Sequence, residues 1–129
     1  MRRALVTVAL ALAGCYSNGT MTCGRADVVG SWDGTPVMGN FVGMRVRQTF
    51  NDDGSYSIYL NEQPFAGSWS FAGNQLTISN DTSCLGAGDA VYSVNFDDTS
   101  MCRAAILDVV ADPCNGRMST LNGMSITKL

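Results

Sequence analysis

Apolar and polar residues alternate in short runs along most of this chain, and turn-forming residues separate the runs. Alternation with a period of two sends successive side chains to opposite faces of a strand, so each run predicts a strand with one face buried. The runs are Val28 to Thr35, Phe41 to Phe50, Ser55 to Leu60, Phe65 to Phe71, Gln75 to Ser79, Val91 to Phe96, Met101 to Val110 and Gly123 to Lys128. In the second, Val42, Met44, Val46 and Phe50 share a face opposite Arg45, Arg47 and Thr49. The fourth is the clearest, with Phe65, Gly67, Trp69 and Phe71 against Ala66, Ser68 and Ser70. Asn51-Asp52-Asp53-Gly54, Asn61 to Pro64, Gly73-Asn74 and Asp97-Asp98-Thr99-Ser100 read as turns. Asp112 to Leu121 reads as a short connector with one helical turn, and no stretch sustains a helical period. Short links make successive strands neighbours, so the pattern predicts an all-β, eight-stranded antiparallel up-and-down β-barrel with a short connector before the last strand. Closure removes exposed strand edges, and a barrel of this size either fills with side chains or holds one small ligand.

The N-terminus follows a different pattern. Met1-Arg2-Arg3 is basic, Ala4 to Ala13 is apolar apart from Thr7, and Leu12-Ala13-Gly14-Cys15 follows. The apolar run is too short to span a bilayer core of about 30 Å as a helix and suits a secretory signal. The small residues before a cysteine look like a bacterial lipobox, in which the Cys15 thiol takes a diacylglycerol before cleavage. The expected organisation is a signal peptide over residues 1–14, a tether over 15–27 and a barrel domain over 28–129. The tether, polar and small from Tyr16 onward, would hold the domain off a membrane. Tyr16, where an Asp marks inner-membrane retention in some diderm bacteria, directs the expectation to a bacterial envelope and to the outer membrane if the organism has one.

That address changes how the cysteines are read. With Cys15 set aside, Cys23, Cys84, Cys102 and Cys114 remain, an even number in an oxidising compartment, which predicts two disulfides with three connectivities open. Their spacings suit no usual zinc site, and neither metal nor cofactor is expected. Of 8 Lys and Arg, Arg2 and Arg3 fall in the signal peptide, leaving 6 scattered basic residues against 11 acidic ones. A nucleic-acid partner is excluded on that balance, because binding one takes clustered cations.

Gly30-Ser31-Trp32 on the first strand looks like the G-x-W opening of lipocalin-type barrels. Phe50 with Asp53-Gly54-Ser55-Tyr56, Gly67-Ser68-Trp69 before Gly73-Asn74-Gln75-Leu76-Thr77, Cys84 before Tyr92, and Asp112-Pro113-Cys114-Asn115-Gly116-Arg117 follow in order. From Val28 to Leu129 the chain thus resembles small bacterial lipocalin-like lipoproteins. The resemblance implies a Cys84–Cys114 bridge, and with it Cys23–Cys102. It also implies that the late Arg117 lies over Trp32 and closes one barrel end, a cation–π contact of about 1 kcal/mol.

Candidate chemistry is sparse. The sequence has no histidine, which removes histidine-dependent acid–base and triad chemistry. The carboxylate pairs Asp52-Asp53 and Asp97-Asp98 sit in turns, where Asp serves local backbone hydrogen bonds. Asn51 to Gly54 has the flavour of a calcium loop, but no bidentate Glu follows. An enzyme is not expected. Met44, Trp69 and Met124 are candidate lining for a cavity that holds a small apolar ligand. The alternative is a filled barrel that engages another envelope protein, for example as a hydrolase inhibitor, with the loop from Asn80 to Ala90 making contact.

Overall fold

The computed structural model describes residues 22–129, and the expected signal peptide, Cys15 and most of the expected tether lie outside them. One helical turn, α1 (Arg25–Val28), precedes the strands. These are β1 (Gly30–Thr35), β2 (Val46–Phe50), β3 (Ser55–Leu60), β4 (Gln63–Ala72), β5 (Gln75–Ser79), β6 (Ala90–Phe96), β7 (Ala104–Ala111) and β8 (Ser125–Lys128). A second helix, α2 (Asn115–Leu121), lies between β7 and β8. Each strand pairs antiparallel with the next, and β8 returns to β1 from Trp32↔Lys128 to Thr35↔Ser125, closing an eight-stranded up-and-down barrel. The alternation therefore predicts the architecture and its order correctly.

Three elements differ most from the sequence expectation, among them the seventh strand, which starts at Ala104 because Met101 and Cys102 take positive φ in the β6–β7 loop. The second strand starts at Val46, and Phe41 to Arg45 belong to a loop. Pro36 offers no N–H to a ladder, and Gly39 and Gly43 adopt positive φ, so the alternating apolar residues of this stretch never enter the sheet. The connector forms two turns of helix over Asn115–Leu121, begun by an Asp112 side chain that accepts from the Cys114 N–H at 2.9 Å.

Up-and-down order sorts the links to two ends. One end carries α1, the β2–β3 and β4–β5 turns, the β6–β7 loop and the C-terminus, and it is plugged. Trp32 is 1% exposed, donates its indole N–H to the Val28 carbonyl at 2.8 Å and packs against Phe96. Phe50, Tyr56 and Trp69 stack in the same interior. Burying each such side chain stabilises the fold by about 1.5–3 kcal/mol. The Arg25 guanidinium covers the Trp69 ring at 4.6 Å and pairs with Asp52, which binds α1 to this end.

The cation above Trp32 is Lys128, with Nζ 5.7 Å from the ring centroid and a 2.7 Å hydrogen bond to the Asp27 carbonyl. This corrects the expectation for Arg117, which sits on α2 at the opposite end. The β1–β8 register places Lys128 directly opposite Trp32. Gly30 has φ +132°, and a Cβ there would lie 2.9 Å from the Lys128 Cε, so the glycine of the G-x-W motif admits the lysine stem.

Candidate functional site

The other end is open. The β1–β2 loop, the β3–β4 turn, the β5–β6 loop and α2 surround a cleft of about 420 Å³ in the barrel mouth. Its walls are apolar: Phe41 from the first loop, Ile58, Leu60 and Phe65 from β3 and β4, and Leu121 from α2. Its floor is charged, with Asp81 and Arg117 beside Thr120, and the Cys84 and Cys114 sulfurs lie at its side.

Local structure explains why these groups meet. Asp81 begins a 3₁₀ turn over Thr82–Cys84, and its Oδ1 accepts from the Ser83 N–H at 2.9 Å and from the Ser83 hydroxyl at 2.7 Å. The Cys84–Cys114 disulfide ties that turn to the start of α2. Arg117 follows one turn into the helix and faces Asp81. Gly67 on β4 completes the arrangement, because a Cβ there would lie 2.7 Å from the Ser79 carbonyl oxygen and 3.1 Å from the Asp81 Cα.

Arg117 is the centre of the floor, with its side chain 3% exposed. Its Nε donates to both Asp112 carboxylate oxygens at 3.1 and 2.9 Å, and its Nη2 donates to Asp112 Oδ1 at 2.8 Å and to the Gly88 carbonyl at 3.1 Å. Nη1 lies 3.6 Å from Asp81 Oδ2. The Tyr92 hydroxyl donates to Asp112 Oδ2. Burial pushes the Asp112 carboxyl up, but Arg117, Tyr92 and the Cys114 N–H outweigh it and hold it below the usual carboxylate range. Burial disfavours the charge on Arg117 as well, and Asp112 overcomes that and keeps it protonated. Burial raises both Tyr56 and Tyr92 far above their ordinary value, so both stay neutral. Next to this network the Gln48 amide donates to the Tyr56 hydroxyl at 3.0 Å, while its own oxygen, fully buried, has no partner among the described residues.

The sequence-derived candidates distribute differently. Met124 is fully buried against Gly34, Trp69 is buried near the plugged end with its indole N–H on the Asn51 carbonyl at 2.8 Å, and Met44 is 39% exposed on the outer wall beside Tyr59. These three line no common cavity, which corrects that expectation. Both expected disulfides form: Cys84–Cys114 at the mouth and Cys23–Cys102 at the plugged end. Cys23, Asp27 and Cys102 bring two sulfurs and a carboxylate together, but the sulfurs are already joined to each other. Asp52-Asp53 and Asp97-Asp98 stay in exposed turns, where Asp53 and Asp97 accept backbone N–H bonds from Ser55 and Thr99. Cys15 lies outside the described residues.

Asp81 and Phe41 were not legible as site residues. Asn80-Asp81-Thr82 has the composition of any turn, and Phe41 has the alternation of a strand. Gln48 carried a readable signal, since it falls on the buried face between Val46 and Phe50.

No protein-family model matches the chain, and no relative was found among curated proteins. Among solved structures the chain is similar to the crystal structure of pallilysin from Treponema pallidum, with 14% sequence identity and a TM-score of 0.55. The match covers 96% of this chain and 98% of that one. At this identity the likeness concerns the barrel fold.

Proposed function

We propose that this chain is a lipid-anchored envelope protein whose barrel mouth binds a small molecule with an apolar body. The observation that carries the proposal is the mouth cleft of about 420 Å³, with apolar walls and a buried charged floor. Binding sites for small molecules typically have such a size and combine apolar walls with a few convergent polar groups. The interior below the cleft is filled by the protein's own aromatics, so the ligand occupies the mouth and not the barrel's length.

The anchor gives the mouth a direction. α1 is held to the plugged end by Arg25, by Lys128 and by the Cys23–Cys102 bridge. The chain leading back to Cys15 therefore leaves from that end, and the seven residues between Cys15 and Cys23 reach about 25 Å at most when extended. On this proposal the plugged end faces the membrane and the mouth faces away from it.

One observation favours an interaction surface in addition. Val37, Met38, Val42 and Met44 in the β1–β2 loop and Leu85 in the β5–β6 loop expose apolar side chains around the mouth. A protein partner would cover them, and the mouth would then be the rim of an interface.

The test is native mass spectrometry of protein extracted from its own membrane. A non-covalent mass that is lost on denaturation supports the ligand site, and the bare lipidated polypeptide contradicts it. The anchor is tested by Cys15→Ser, which is expected to move the protein from the membrane fraction to the soluble fraction. Retention in the membrane fraction would contradict lipidation at Cys15.

A further inference from the structure

The floor of the mouth holds an ion pair, Arg117 Nη1 with Asp81 Oδ2 at 3.6 Å, that is not closed by a hydrogen bond. Nε and Nη2 of Arg117 are engaged by Asp112 and the Gly88 carbonyl, but Nη1 makes no hydrogen bond among the described residues. Its distance of 3.6 Å to Asp81 Oδ2 exceeds the 2.7–3.2 Å typical of an N–H···O bond. Asp81 Oδ1 is taken by Ser83, whereas Oδ2 accepts no hydrogen bond there. Both side chains are nearly removed from bulk water, at 3% and 2% exposure. The two facing atoms keep only slight access to solvent, inside a cleft with apolar walls, so a ligand atom that satisfies both is worth more here than on an open surface.

We infer, resting on the mouth as a ligand site, that the bound molecule is an amphiphile with an uncharged head that both donates and accepts a hydrogen bond, such as a hydroxyl or a primary amide. The head accepts from Arg117 Nη1 and donates to Asp81 Oδ2, which lie close enough for one hydroxyl to reach both. Its apolar body runs along Phe41, Leu60, Phe65 and Leu121. An anionic head meets Nη1 but sits against Asp81 in a floor where two carboxylates already outnumber one guanidinium. A cationic head meets Asp81 but faces the Arg117 guanidinium and leaves Nη1 unpaired. The neutral donor–acceptor head alone satisfies both groups.

The experiment titrates octanamide, octanoate and octylammonium into the isotope-labelled protein near neutral pH and follows backbone resonances of the mouth residues by NMR. Octanamide is expected to bind about tenfold or more tightly than either ion. In Asp81→Asn the floor loses its excess negative charge, and octanoate is expected to gain about tenfold while octanamide loses its lead. Asn keeps the acceptor for Ser83, so the 3₁₀ turn is retained. Octanoate or octylammonium binding the native protein as tightly as octanamide would overturn the inference and leave the ligand site standing. An unchanged preference in Asp81→Asn would also overturn it. Mouth resonances that respond to none of the three probes would overturn the ligand site itself.

Discussion

Arg117 shows how a single buried charge is made tolerable. Its guanidinium gives up water for a forked contact with Asp112, and Tyr92 and the Cys114 N–H share the load on the carboxylate. Removing Asp112 takes away every hydrogen-bonded carboxylate contact of Arg117 and leaves only Asp81 at 3.6 Å, so Asp112→Ala is expected to cost about 3 kcal/mol in urea unfolding. A loss below about 1 kcal/mol would show that the pair is not buried as described. Gln48 and Tyr56 behave differently, because their single hydrogen bond leaves the amide oxygen unmet. Replacing both by apolar groups of similar shape, Gln48→Met with Tyr56→Phe, is expected to leave the melting temperature unchanged or raised. A clear drop would mean that the Gln48 oxygen has a partner. The tyrosines also set an alkaline limit. Burial raises Tyr56 and Tyr92 above the ordinary 10.0, so the unfolded chain loses their protons first. Stability is complete below that pH and falls as pH rises beyond it. Asp112 acts in the opposite sense: held below 3.8, it contributes fully above that pH, and its contribution is lost as pH falls through its folded value. Unfolding midpoints measured across pH test both limbs, and a flat profile above about pH 10 would contradict the burial of the tyrosines.

At the scale of elements, the two disulfides do different work. Cys23–Cys102 closes the longer loop and holds the chain entry to the plugged end, whereas Cys84–Cys114 joins the 3₁₀ turn carrying Asp81 to the helix carrying Arg117. On a chain-entropy estimate each stabilises by about 3.5–4.5 kcal/mol. Their functional effects should separate: Cys84→Ala with Cys114→Ala is expected to weaken mouth binding, and Cys23→Ala with Cys102→Ala to lower stability with the mouth intact. Equal loss of binding in both pairs, measured under conditions where both remain folded, would contradict this division. The strands were legible because one buried face imposes a period of two, and that rule holds from β3 to β6. It fails at Phe41 to Met44, where apolar residues alternate but serve the rim of the mouth instead of the core. Arg117 was legible as a key residue, but the cation over Trp32 was not. Strand closure puts Lys128 opposite Trp32, a register that only the finished barrel defines. Asp81 left no signal, because what distinguishes it is the Gly67 approach and the disulfide that carry it to the floor.

For the whole molecule, up-and-down order separates tasks between two ends. The plugged end holds the aromatic core and the first helical turn, and the mouth gathers four links around one cleft. On the function proposed above, this cleft is occupied in the working protein. Gly116 lines it, and a Cβ added there meets nothing within 4 Å, so Gly116→Trp has room to start a bulky side chain at the edge of the cleft and is expected to obstruct it. The most direct measurement is native mass spectrometry of the membrane-extracted protein beside its Gly116→Trp variant. A non-covalent mass is expected on the first and none on the second, with both forms equally folded by circular dichroism. The same bound mass on both, or none on either, would contradict that function.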